Sequence, residues 1–281
     1  MKVLLAVKNF MTGVGGAETF YRSLATSNPA IDFYFVQTEP MVDIAANLHP
    51  IQPRRRCVMQ MAEPGATPQL VVREFMNFLE IASAVEGQYF DVVDLPDHSH
   101  MGMYLPVALD LFGVRYDRLV LSMHGLLSTT TRLNWPDPAP AEIEQWANNA
   151  AKAESVAYRA ADVRYGISRT FIEARAAAEG IGGHYLNPLR LDYLRQFRPG
   201  RPKPAVSPPG LLFAARKERW KGPDLFLELL WWLPRSSYAT AVLAGVDSTV
   251  TPESANLTLA RMMVRPESLR SHARRRIRRI S

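Results

Sequence analysis

The chain carries a single cysteine, Cys57, among its 281 residues. An internal disulfide and a cysteine-built zinc cluster both need more than one, so both are excluded, and the lone thiol fits a reducing compartment. Cys57 follows Arg54-Arg55-Arg56, whose charge would favour a thiolate; a structural or incidental thiol is the plainer reading. Long apolar runs are also lacking. None approaches the roughly 20 residues of a membrane span. The apolar run Val3-Leu4-Leu5-Ala6-Val7 is too short for a signal-peptide core. Together these absences lead us to expect a soluble, cytoplasmic protein.

Acid is missing from the tail. After Glu267 the chain holds Arg270, Arg274, Arg275, Arg276, Arg278 and Arg279 and no carboxylate, and these six arginines equal the whole net charge of +6. The remaining body is formally neutral, which argues against a specific nucleic-acid partner. If residues 269–280 were helical, Leu269, Ala273, Ile277 and Ile280 would share one side. Weak contact of Arg270–Arg279 with an anionic membrane face is the partner that such a tail would suit; a solvated, frayed tail is the commoner outcome.

The chain is organised around Gly13-Val14-Gly15-Gly16-Ala17-Glu18. An apolar run, Val3 to Val7, precedes it, and helical spacing from Thr19 to Ala25 follows. A glycine-rich turn between strand and helix lets backbone N–H groups approach an anion at the positive end of the helix dipole. The dinucleotide fingerprint would need a third glycine where Glu18 stands. A carboxylate there repels a pyrophosphate placed directly above it and suits the hydroxyl groups of a sugar. A plain tight turn is the alternative.

Strand-like and helix-like segments alternate after this turn. Strands are expected at Lys2–Lys8, 31–37, 90–95, 118–123 and 163–167, and helices at 70–85, 103–111, 141–161 and 170–179. Residues 40–68 read as mostly loop with one short strand near Val58, and residues 126–140 as a further loop. Thr129 to Pro140, with Trp135 and three prolines, is a candidate acceptor-facing loop or an ordinary surface one. Alternation implies parallel pairing in a doubly wound α/β sheet. Five prolines in 196–209 mark a linker, and beyond it come a strand at 211–215, a helix at 223–232 with proline in its first turn, and a strand at 239–244. The expected division is residues 1–195, the linker, a partial domain at 210–246, and an irregular basic tail at 247–281.

Ligands of open parallel sheets bind beyond the carboxyl ends of the strands. The residues at those ends are Gly15, Gly16 and Glu18, then Asp97 and His98, then His124, then Ser168, and in the second domain Arg216, with Lys221 before the next helix. Each has a bland reading: His124 as a hydrogen-bonded loop residue, Asp97 as a turn former, Arg216 as a solvated strand end. As a set they suit a diphosphate held between two domains.

The ordered set resembles the retaining glycosyltransferases of family 4, which have the two-Rossmann GT-B fold. The residues that carry the resemblance are Gly15-Gly16-Ala17-Glu18, His124-Gly125, Glu154 with Ala161-Asp162 and Ser168, Asn187-Pro188 with Asp192, and Arg216 followed by Lys221-Gly222-Pro223-Asp224-Leu225. The resemblance implies a GT-B-like protein with a complete N-terminal Rossmann-like domain. It implies a UDP- or GDP-linked sugar donor, no further cofactor and no metal, and a glycan, lipid or small-molecule acceptor. It places Gly15, Gly16, Arg216 and Lys221 on the diphosphate and His124 beside the transferred sugar as the catalytic residue. Glu18, Asp97, Ser168 and Asn187 become acceptor or sugar contacts. Family members also carry a Glu-x7-Glu element on the donor side. Here the only acids after Asp247 are Glu253 and Glu267, fourteen apart. The expectation is therefore a truncated donor-side domain, with a catalytically inactive remnant or binding module as the alternative to an active transferase. A nicotinamide-dependent oxidoreductase, with Glu39 as a ribose-binding acid, is a weaker rival.

Overall fold

The structure, a computed structural model, describes residues 1–13, 15–41, 43–53, 67–97, 101–135, 139–187, 208–215 and 221–244. The chain divides into two compact units, residues 1–129 with 141–198 and residues 130–140 with 199–281. Most of the expected linker lies in 188–207, outside the described residues.

The first unit is a Rossmann-like α/β structure. Its strands are β1 (Lys2–Leu5), β2 (Asp32–Val36), β3 (Leu48–Ile51), β4 (Tyr89–Pro96), β5 (Arg115–Met123), β6 (Val163–Gly166) and β7 (His184–Tyr185). They form one sheet in the order β3-β2-β1-β4-β5-β6-β7, and every neighbouring pair is parallel. Its helices are α1 (Gly16–Thr26), α2 (Thr67–Ala84), α3 (Met101–Leu111), α5 (Ala141–Ala160) and α6 (Arg169–Glu179), and α4 (Leu127–Asn134) begins in it and runs on into residues 130–134 of the second unit.

Alternation along β1 shows how the sheet is covered. Val3 and Leu5 pack with Phe20, Tyr21 and Ala25 of α1, while Leu4 and Ala6 pack on the opposite side with residues of α2, α3, α5 and α6. A parallel sheet buried on both faces needs such nearly continuous apolar strands. The chain leaves β1 toward β2 and returns from β3 past it to β4, so the direction of winding reverses between β1 and β4. Ligand crevices of open α/β sheets lie above that reversal.

Residues 40–68 hold a strand at Leu48–Ile51, and the strand expected near Val58 lies outside the described residues. The loop expected at 126–140 begins with α4. The two-residue strand β7 is too short to leave a sequence signal.

The second unit, as far as it is described, is one βαβ element: β8 (Gly210–Ala214), α7 (Pro223–Trp232) and β9 (Thr240–Ala244), with β8 and β9 parallel. Phe213 and Phe226 pack with ring centroids 5.6 Å apart. Trp231 and Trp232 are 60% exposed. Among the described residues no helix is long and apolar enough to cross a membrane.

Candidate functional site

The turn after β1 is built before it reaches its glycines. Asn9 adopts a left-handed conformation with φ of 58°. Its side-chain Oδ1 accepts from the backbone N–H of Thr38 at 2.8 Å and its carbonyl accepts from Gly13 N–H at 2.7 Å. Arg22, the seventh residue of α1, reaches back and donates to the carbonyls of Phe10 at 3.1 Å and Gly13 at 2.8 Å. The start of the turn is thus tied at both its donors and its acceptors. A Cβ on Gly13 would stand 3.0 Å from Asn9 O and 2.9 Å from Glu18 Cγ, so a side chain there would force its neighbours to shift.

Gly15 is the N-cap of α1, in extended backbone, and as a glycine it supplies no capping side chain. Glu18 is the third residue of α1 and lies over Gly15, where an added Cβ would fall 2.1 Å from its Oε2. Gly16 is exposed, and nothing stands within 4 Å of where its Cβ would be. The open helix start and the adjoining carboxylate therefore coexist, as the sequence suggests for an anion beside a hydroxyl-bearing group.

Two strands across from β1, His124 ends β5. Its ring is edge-on to Phe20 at 4.9 Å and tilted against Tyr21 at 5.4 Å. The helix that opens at Gly16 thus supports His124 one turn later, and both elements belong to the same crevice edge. Gly125 follows with φ of 140°, a conformation that side chains disfavour. Asp97 fixes this corner: its Oδ1 accepts from His124 N–H at 2.9 Å and Gly125 N–H at 3.2 Å. Asp97 is buried, and burial pushes its carboxyl up to about 6, with Glu154 adding to the rise and Arg175 opposing it. The structure places Asp97 behind the corner as its anchor.

Glu154 is buried and belongs to a second anchor. Its Oε1 accepts from Ser128 N–H at 3.1 Å, its Oε2 accepts from the Ser128 hydroxyl, and Leu127 N–H also bonds to it. A carboxylate from α5 therefore caps the start of α4, satisfying donors that the helix itself leaves open.

Ser168 caps α6, its hydroxyl accepting from Phe171 N–H at 3.3 Å. Asn187 follows β7 and is half-buried at the same carboxyl edge. Lys221 is exposed immediately before α7, and Gly222 caps that helix with φ of 78°. Arg216, His98, Cys57 and the tail Arg270–Arg279 lie outside the described residues.

A further group went unnoticed in the sequence. Asp94 of β4 is buried beneath α1, where Tyr21 Oη lies 3.0 Å from its Oδ1 and the Tyr165 hydroxyl donates to its Oδ2 at 2.7 Å. Tyr21 Oη also contacts Ser122 Oγ, which lies 3.1 Å from Leu95 O. The available signal was an acid inside the apolar run Val92-Val93-Asp94-Leu95, since a buried acid needs partners. Among the described residues no group of three His, Cys, Asp or Glu side chains could hold a metal ion.

No protein-family model matches the chain, and no curated protein matches it.

Proposed function

We propose that the protein is a GT-B glycosyltransferase of the family-4 type, transferring a sugar from a UDP- or GDP-linked donor to an acceptor with retention of configuration. The observation that supports this most directly is the joining of a glycine-opened helix start with His124 through Phe20 and Tyr21. Cleaving a sugar–diphosphate bond leaves negative charge on the departing phosphate, and backbone N–H groups at Gly16 are suited to stabilise it. His124 would then lie against the transferred sugar, with Glu18 on a hydroxyl group. Asn187 and Ser168 are further candidates for acceptor or sugar contact.

The alternative reading is a binding module of the same architecture that holds an acceptor without turnover. Calorimetry and product analysis with UDP- and GDP-sugars separate the two. Binding with release of free nucleotide supports the transferase, binding without turnover supports the module, and neither binding nor release with either donor class overturns the donor assignment.

A further inference from the structure

Two acids near the end of β4 act on one histidine in different ways. Asp97 binds the backbone N–H of His124. Asp94 reaches the His124 ring at second hand, through tyrosines. The Tyr21 hydroxyl of α1 donates to Asp94 Oδ1 at 3.0 Å, and the Tyr165 hydroxyl of β6 donates to Oδ2 at 2.7 Å. Tyr165 gets to Asp94 across the intervening strand β5, where its register partner is the small residue Ser122. Each oxygen of one buried acid therefore takes the far end of one tyrosine ring.

Those two rings flank a third. The Phe20 ring lies 5.7 Å from Tyr21 and 6.0 Å from Tyr165 by centroids. The His124 imidazole then rests on Phe20, edge-on at 4.9 Å and 70°, and on Tyr21 at 5.4 Å and 49°. The last torsion of a histidine or a phenylalanine is broad and sets no ring plane by itself. Asp97 fixes the backbone of His124 and leaves that torsion open. Packed rings supply the missing constraint, because edge-on and tilted aromatic contacts are directional. They do so while their own axes hold still, and a hydrogen bond at the hydroxyl pins the far end of each tyrosine axis. An apolar side chain at position 94 would fill the space without needing partners. The acid adds direction, since its two oxygens accept separately.

We propose that Asp94 is a positioning residue for His124: by anchoring Tyr21 and Tyr165 it fixes the aromatic pair, Phe20 and Tyr21, against which the imidazole is oriented. What this orientation does for sugar transfer rests on the proposed function, in which His124 lies against the transferred sugar; the orientation itself does not. Tyr165 is the informative member of the set. Its hydroxyl lies on β6, and its ring is joined to His124 through Phe20, so an effect of that hydroxyl on the imidazole has to travel along the rings.

The test is NMR of the full-length, ligand-free protein at about pH 8, above the ordinary histidine titration, comparing wild type with Tyr21→Phe, Tyr165→Phe and Asp94→Asn. Phenylalanine keeps each ring and removes its anchor; asparagine keeps one acceptor oxygen for two hydroxyls. Expected in all three is a shift of the His124 Hδ2 and Hε1 signals toward those of an exposed histidine, with weaker Overhauser contacts to the Phe20 ring. The His124 and Gly125 amide signals, held by Asp97, stay in place. The two phenylalanine variants carry the result if Asp94→Asn does not fold. Unchanged His124 ring signals in both would overturn the proposal. So would ring and amide signals that move together, because the cluster would then support the whole corner and not the ring. A second arm adds UDP- and GDP-sugars to wild type and Tyr165→Phe. Under the proposed function kcat falls about tenfold in the variant while KM changes little, and full turnover in a variant whose ring has moved overturns the role in transfer. A wild type that turns over neither donor counts against the proposed function and leaves the ring result standing.

Discussion

A single carboxylate oxygen of Asp97 binds the backbone N–H of His124 at 2.9 Å, and the next N–H, that of Gly125, at 3.2 Å. The corner after β5 is therefore held from behind by β4, and its geometry is independent of any ligand. Replacing Asp97 with alanine strands two part-buried donors, at a cost of about 1–3 kcal/mol. Asp97→Asn keeps an acceptor in place and is expected to lose less than half of that. Urea unfolding of both variants checks the ratio. Equal losses would mean that the carboxylate acts by charge alone.

Asp94 and Asp97 both have carboxyls raised from 3.8 to about 6 by burial. A raised folded-state value means that the native protein binds protons more tightly than the unfolded chain. Each group's contribution is then fully present below about pH 4 and lost as pH rises through about 6. Two pH units correspond to at most about 3 kcal/mol per group. The urea midpoint is expected to fall between pH 4.5 and 6.5 and level off above 7, and the fall is expected to shrink in Asp94→Asn. A midpoint that climbs over this interval would contradict both assignments.

Glu154 anchors α4 across 26 residues of sequence. Glu154→Ala removes the acceptor for Leu127 and Ser128 N–H groups and leaves α4 without a cap, costing about 1–3 kcal/mol. Amide exchange is expected to accelerate across Leu127–Asn134 before it does so in α5. A uniform acceleration would show that the cap is not what holds α4.

This cap explains where the sequence stops being legible. The run Leu127-Ser128-Thr129-Thr130-Thr131 is poor in helix formers, and its stabilising carboxylate comes from a distant helix that no local window contains. Strands β1, β2, β4, β5 and β6 and helix α1 were legible because apolar runs and glycine signals are local. Asp97 was found as a strand-end residue, yet whether its carboxylate faces the crevice or the back of the corner depends on strand register. Arg22 gave no signal at all: a helical arginine normally reads as a solvated face, and only the folded turn brings Phe10 and Gly13 carbonyls to it.

Arg22 is expected to matter to binding through geometry alone. Arg22→Ala frees both carbonyls, which a single guanidinium nitrogen, Nη2, now serves, and lets the turn relax, and Arg22→Lys carries its ammonium on a differently shaped stem. Under the proposed function both variants bind a UDP- or GDP-sugar about tenfold more weakly by calorimetry, equivalent to about 1.4 kcal/mol. The enthalpy of unfolding should change little. Unaltered donor affinity would remove the turn from the binding surface.

Gly13 and Gly16 separate folding from binding within one turn. An added Cβ at Gly13 meets a backbone oxygen at 3.0 Å, whereas at Gly16 it meets nothing within 4 Å. Gly13→Ala is therefore expected to destabilise the protein, since Asn9 O belongs to a turn fixed on both sides and cannot retreat. Gly16→Ala replaces the first residue of α1 by a better helix former and is expected to be neutral or stabilising by up to about 1 kcal/mol. If a phosphate approaches the first N–H groups of α1 closely, the same methyl group stands in its way. Gly16→Ala should then keep or raise the thermal midpoint while weakening nucleotide-sugar binding tenfold or more. A variant that is stable and binds normally would place the anion elsewhere, because no other feature of the turn could absorb a methyl group at that point without moving the ligand.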